Sequence, residues 1–286
     1  MVYPDDHFMR WIIKIALFAV CFYGVAKFCK KQTGSFTLSR ISSQLKPEPR
    51  WDTLPLPPGE LADLRQILNQ PYTYLNKGAQ SFVFASQDGN YVIKFFRHHH
   101  MSAPLWLRWN QKTVTKRHGK LYKDFDSYKL AFDNLREETG LLYLHLNKTT
   151  HLQQTLDLVD KLGIHHKVPL DQFEFLIQKR AKLVYPALQE LMEKGQIEQA
   201  KEALTNIVQF LVHRSQMGIF DKDPDLNSNF GLIGTQVIQI DIGRFKHQKP
   251  QLNKDEITRI TDNLHQWLMI KYPQLDVHLK NQIKSL

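Results

Sequence analysis

Carboxylates and carboxamides crowd one short stretch of this chain. Residues 219–245, IFDKDPDLNSNFGLIGTQVIQIDIGRF, set Asp221, Asp223 and Asp225 in alternation, follow them with Asn227 and Asn229, and end on Asp241-Ile242-Gly243. Such side chains offer hard oxygen ligands to a divalent cation. Between Asn229 and Asp241 the pattern predicts a hairpin, with strands at Phe230–Ile233 and Val237–Ile240 about a Gly234-Thr235 turn. The bland alternative is an acidic surface loop leading into a hairpin, binding calcium or nothing. The second conspicuous residue is Lys94, alone amid Val92, Ile93, Phe95 and Phe96. A lysine on a strand that is apolar on both sides must either snorkel out or meet an anion.

The elements that would position these groups follow from local pattern. Strands are predicted at Thr73–Asn76, Phe82–Ala85 and Tyr91–Phe96, with the small-residue loop Gly78-Ala79-Gln80-Ser81 and the turn Asp88-Gly89 between them. Residues 126–146 read as a helix, with Glu137 and Glu138 in mid-helix and Gly140 weakening it. Val168–Leu170 and Phe173–Ile177 read as strands. Residues 60–70, Pro186–Lys194, Ile197–Met217 and Glu256–Tyr272 read as helices.

Taken in this order, the two halves resemble the protein-kinase-like superfamily. There a glycine-rich loop covers the ATP phosphates, a third strand carries the phosphate lysine, and two later loops supply a base and metal ligands. Here Leu75-Asn76-Lys77-Gly78-Ala79-Gln80-Ser81-Phe82-Val83 stands where the glycine loop would, and Val92-Ile93-Lys94 where the lysine strand would. Asn76 and Ser81 replace the outer glycines, and Gly78 remains. Asn229 lies 12 residues before Asp241, near the family spacing, and Asp241-Ile242-Gly243 reads as the metal motif with Ile for Phe.

The resemblance implies an α+β, two-lobed fold. Its small lobe would be 71–180 and its large lobe 181–286, the latter trimmed because only 45 residues follow Asp241. The trimmed lobe is similar to that of small-molecule or lipopolysaccharide kinases. It implies ATP and Mg²⁺ as cofactors and phosphoryl transfer to a hydroxyl-bearing acceptor. Gly78, Ser81 and Lys94 would hold phosphates, Gln178 and Arg180 would lie at the hinge beside the adenine, and Asn229 and Asp241 would bind Mg²⁺. Glu138, with Glu137 open, would pair Lys94. Asp223, with Asp221 as the alternative, would orient the acceptor. The eroded glycine loop, the missing histidine and the displaced aspartate keep a second reading open, a pseudokinase acting as a membrane-associated interaction module.

The N-terminus adds a location. Residues 11–28, WIIKIALFAVCFYGVAKF, are broken only by Lys14 and Lys27, and as a helix would span about 27 Å. Residues 1–32 therefore read as a single-pass anchor. Lys27, Lys30 and Lys31 at its downstream end and Arg40, Lys46 and Arg50 beyond it are a bias that leaves the kinase-like part in the cytoplasm. A cleaved signal peptide ending near Gly24-Val25-Ala26 and an ordinary core helix are the alternatives. Residues 33–70 read as a proline-rich linker and a short helix.

Composition sets bounds. Hydrophobic residues are 42% and charged residues 23% of 286, which excludes a disordered chain or a polytopic membrane protein. Cys21 and Cys29 are too few for a disulfide framework or a multi-cysteine zinc site. The net charge of +10 favours anionic partners, but residues 97–129 alone carry +6 of it. That concentration argues against a nucleic-acid binder. The insertion also holds Trp106 and Trp109 beside Lys112, Lys116, Arg117 and Lys120, a pattern expected of a second membrane contact.

Overall fold

Runs of β-branched and aromatic residues fold the first half of the chain onto one large sheet. The computed structural model describes residues 6–53, 56–98, 109 and 111–286. Its sheet contains β1 (Tyr72–Lys77), β2 (Ser81–Ser86), β3 (Tyr91–Phe96), β4 (Leu141–His145), β5 (Thr155–Val159), β6 (His165–Pro169) and β7 (Phe175–Lys179). The spatial order is β4-β7-β3-β2-β1-β5-β6, antiparallel except where β1 meets β5. Lys94 sits at the centre of this order, opposite Val83 on β2 and Leu176 on β7. Beneath it Tyr72, Phe82, Phe84, Ile93, Phe95, Phe175 and Ile177 form a fully buried layer.

Helices flank that sheet. The first described element is α1 (Asp6–Gln32), followed by α2 (Leu38–Ile41) and α3 (Pro58–Leu68). Between β3 and β4 it makes a long excursion through α4 (Gln111–Asn134), which presses Leu121, Phe125, Tyr128 and Ala131 onto Phe96 and Leu176. α1 is long and apolar enough to cross a membrane: Met9–Gln32 reaches a mean hydropathy of 1.9, with none of the apolar window buried.

The second half is mainly helical: β8 (Lys182–Leu183), α5 (Val184–Glu193), α6 (Ile197–Gln216), β9 (Ile219–Asp221), β10 (Phe230–Ile233), β11 (Gln236–Gln239), β12 (Phe245–His247), α7 (Lys254–Lys271) and α8 (Pro273–Lys284). Ala200, Ala203, Leu204, Ile207, Val208 and Leu211 recur at three- and four-residue spacing along α6 and bury one stripe against α7 and α8. Asn253 caps α7 by accepting from the Glu256 N–H at 3.0 Å. β10 and β11 make the expected hairpin, and β12 returns beside β9. The result is a mixed α+β protein, with a seven-stranded sheet in the first half and a mainly helical second half.

Three expectations change. The helix over 126–146 ends at Asn134, because Gly140 takes φ +63° and the apolar run Leu141–His145 pairs with β7 instead. A Cβ on Gly140 would stand 3.3 Å from both Ile238 and Lys179, so the turn is pressed onto the second lobe. The stretch expected as a linker is a strap. Phe36, Ile41 and Trp51 are buried at 4%, 0% and 2% exposure, and the Trp51 indole donates to Asp126 at 2.9 Å. Finally, residues 99–108 and 110 of the basic insertion, including Trp106, lie outside the described residues, while Lys112, Lys116, Arg117 and Lys120 are on α4.

A strap predicts a stability cost where a free linker predicts none. Phe36→Ala and Trp51→Ala should each destabilise the protein by about 3–5 kcal/mol in chemical denaturation. Lys46→Ala, on the exposed side of the same segment, should stay within about 0.5 kcal/mol.

Candidate active site between the lobes

A cleft of about 630 Å³ runs between the two halves, within the range of small-molecule sites. Gly78, Ser81, Lys94, Gln178, Arg180, Asn229 and Asp241 all line it. Residues far apart in the chain are thus brought to one place. Asp223, Asp221 and Glu138 are not among its lining residues.

The roof of the cleft is a tight turn. Gly78 N–H donates to the Ser81 carbonyl at 2.9 Å, and the Arg97 side chain and backbone hold the Gly78 and Gln80 carbonyls at 2.6 and 2.8 Å. Gln80 folds inward from this turn. Its Oε1 accepts from the Tyr128 hydroxyl at 3.1 Å and packs so closely on Gly243 that a Cβ there would overlap it. Only glycine fits at position 243 with Gln80 in this place.

Lys94 reaches across the cleft and donates to the Ile240 carbonyl. Burial draws its pKa down to about 8, against the opposing pull of the Asp241 carboxylate. The expected pair with Glu138 is not formed. Glu138 lies in the turn beyond α4, where its carbonyl accepts from Gln239 N–H at 2.9 Å and its carboxylate faces His213 at 3.3 Å. In its place α4 grips the Asp241 loop through a hydroxyl. Ser127 Oγ donates to the Ile242 carbonyl and accepts from the Phe245 N–H at 2.7 Å. No sequence pattern pointed to Ser127, Tyr128 or Gln80, since a hydroxyl or amide meeting a distant partner leaves no spacing signal.

The acidic loop separates its aspartates by burial. Asp221 is 1% exposed and accepts from the Gln239 side chain and the Asp223 N–H, the latter at 3.0 Å. Gln239 in turn accepts from Arg214 at 2.8 Å, and the Arg214 guanidinium lies 3.9 Å from Asp221. Burial raises the Asp221 pKa despite these partners. Asp223 is exposed, and its carbonyl accepts from the Asn229 amide at 2.6 Å. The Asn229 carbonyl then accepts from Ile240 and Asp241 N–H at 2.8 and 3.3 Å. Asn229 therefore binds the acidic loop to the Asp241 loop, and both present oxygen donors to one cleft.

Behind Asp241 sits Asp124 of α4, which the sequence reading passed over. It is 5% exposed, and its Oδ2 has no hydrogen-bond partner among the described residues. Burial lifts its pKa to about 6; Lys120 and Arg244 oppose the shift and Asp241 adds to it. At the hinge, the Gln178 side chain turns inward to the Thr139 and Gln239 carbonyls. The Arg180 N–H is taken by the Asn90 carbonyl at 2.8 Å, which withdraws it from any ligand in the cleft.

No family model and no curated protein matches this chain. Among solved structures it is similar to the bifunctional kinase-methyltransferase WbdD at a TM-score of 0.38 and 13% identity, over 74% of this chain and 45% of that one. The chain thus spans under half the length of WbdD. It is also similar to the ROP18 kinase domain, solved with AMP-PNP and sucrose, at a TM-score of 0.36 and 13% identity, over 61% of this chain and 51% of that one. A third is Rv3197 of Mycobacterium tuberculosis in complex with erythromycin, at 0.32 and 13%, over 97% of this chain and 75% of that one.

Two stability predictions follow from the buried acids. Asp221→Ala leaves Arg214 buried without its partner and should cost about 3–5 kcal/mol, whereas Asp223→Ala should leave unfolding within about 0.5 kcal/mol of wild type. For Asp124 the folded pKa lies above the unfolded value of 3.8. The folded state therefore holds the proton more tightly, and stability falls as pH rises from about 4 to about 6. Asp124→Asn should raise the thermal midpoint at pH 7.5 by roughly a few degrees, with the gain vanishing near pH 4.

Proposed function

We propose that this chain is a kinase-like phosphotransferase, anchored in a membrane by α1 with its two-lobed part in the cytoplasm, that moves the γ-phosphoryl group of ATP to a hydroxyl. The observation that supports this most is the convergence of Lys94, Asn229 and Asp241 on one interlobe cleft beneath the Gly78–Ser81 turn. In this reading Lys94, protonated at neutral pH, meets the α- and β-phosphates. The Gly78–Ser81 turn covers them, and the base lies between Val83 and Leu183 with its edge on the backbone at Ala181 in place of Arg180.

The donor set at the lower wall fits Mg²⁺. The Asp241 carboxylate is exposed and accepts from Gly243 N–H at 3.3 Å, and Asn229, whose amide oxygen accepts from Ser228 Oγ at 3.0 Å, lines the same cleft. Carboxylate, amide oxygen and phosphate oxygens are the ligands this cation takes. When bound, it neutralises charge on the phosphates. Asp223 receives the acceptor's hydroxyl proton as the new O–P bond forms and the bond to the β–γ bridging oxygen breaks, releasing ADP. Such transfer needs positioning and charge neutralisation more than covalent participation by the protein.

One observation favours the second reading, a pseudokinase. Lys94 is held by a backbone carbonyl, and among the described residues it forms no ion pair with a carboxylate of α4. The two readings part experimentally. With millimolar ATP and Mg²⁺ the wild type should gain several degrees of thermal stability; Asp241→Ala should abolish that gain and Lys94→Ala should weaken it, with both variants folded. ADP should accumulate with a hydroxyl acceptor and fall at least about a hundredfold in Asp223→Ala. A shift without turnover would establish the pseudokinase, and no shift would end the nucleotide reading.

A further inference from the structure

The end of α1 is not free of the cleft. Ser35, three residues past the helix, accepts from Lys77 Nζ through its hydroxyl at 3.3 Å, and Lys77 is also a lining residue of the interlobe cleft. The next residue, Phe36, is locked among Phe82 and Phe84 with ring centroids 5.4 and 5.0 Å away. Lys161, from the turn between β5 and β6, donates to the Lys31 carbonyl at 3.2 Å. No flexible tether separates the apolar helix from the phosphate-side loop.

Between them lies an open groove of about 530 Å³ lined by Gly24, Lys27, Phe28, Lys30, Lys31, Ser35 and Lys77. Four of these are lysines and none is acidic. Among the described residues the four lysines form no ion pair. The carbonyls of the helix end would repel an anion, but they are occupied: Thr33 Oγ1 donates to Cys29 at 2.9 Å, Ser35 Oγ to Lys30 at 3.4 Å, and Lys161 covers Lys31. Towards the span the groove is lined by Gly24 and Phe28 with Lys27 beside them, and towards the helix end by Lys30, Lys31 and Lys77. That gradient runs along the helix where an apolar span would leave a bilayer.

We propose that this groove binds the headgroup of an anionic phospholipid and so seats the glycine loop, through Lys77, at the membrane surface. The inference rests on reading α1 as a membrane span. Charge complementarity selects an anion, and the end at Gly24 and Phe28, at the level where acyl chains begin, selects a lipid over a free phosphate. A cleft held this way faces acceptors that are themselves borne on the membrane.

The test uses the full chain in a neutral detergent, with thermal unfolding followed as short-chain phosphatidylglycerol, phosphatidylcholine or inorganic phosphate is added. Phosphatidylglycerol should raise the midpoint saturably, and the other two should not. Lys77→Gln alone, and Lys27→Gln, Lys30→Gln and Lys31→Gln together, should weaken the apparent affinity at least about tenfold. Removing the same charge from the second half by Lys249→Gln, Lys254→Gln and Lys284→Gln, all exposed, should leave it unchanged. An equal shift with phosphatidylcholine or with inorganic phosphate overturns the proposal, as does an undiminished shift in Lys77→Gln. Alkaline carbonate extraction keeps the two readings distinct. Release of the chain defeats the anchor, whereas retention without a phosphatidylglycerol preference defeats the groove alone.

Discussion

One buried hydroxyl carries the junction between the lobes. Ser127 of α4 donates to the Ile242 carbonyl and accepts from the Phe245 N–H, so a helix of the small lobe fixes the backbone on which Asp241 sits. Both partners are backbone groups that would be costly to bury unpaired. Around this point the rest is arranged: Lys94 on the Ile240 carbonyl, Tyr128 holding Gln80 onto Gly243, and Gln239 N–H on Glu138. The two halves are therefore joined by hydrogen bonds to main chain, with no lysine–carboxylate pair across the cleft among the described residues. A change in α4 would move the Asp241 loop and the glycine loop together.

Below the cleft a second buried network sets the acidic loop. Arg214, Gln239 and Asp221 are each at most 2% exposed and satisfy one another in sequence. Burying a guanidinium without a counter-charge would be prohibitive, which explains an aspartate inside a strand end that otherwise packs apolar residues. The same network frees Asp223 and Asn229 to face outward. Division of labour among neighbouring aspartates thus comes from depth: the buried one holds structure, and the exposed one is available for chemistry.

The sequence was legible where chemistry and period coincide. Alternation and turn residues placed β1 to β3 and the β10–β11 hairpin, and the isolated Lys94 and the Asn229–Asp241 spacing located the cleft. It was misleading where apolar runs are ambiguous. Leu141–His145 satisfies a helical stripe as well as a strand, and only the left-handed Gly140 and pairing with β7 decide it. Glu138 was carried onto a helix by that error, and its carboxylate faces His213 instead. Phe36 and Ile41 stand in a Ser/Thr-rich stretch and Trp51 among prolines, neither with a helical or strand period, so their burial was invisible before tertiary contacts existed. The strap they form matters for function, because it fixes the apolar helix against the lobe that would cover a nucleotide.

Nucleotide bound between the lobes under the Gly78–Ser81 turn would be read most directly by amide hydrogen exchange with and without a non-hydrolysable ATP analogue and Mg²⁺. Slowed exchange confined to residues 75–83, 178–181, 228–229 and 240–243 is expected. Exchange unchanged in those segments, or protection appearing elsewhere alone, would contradict it.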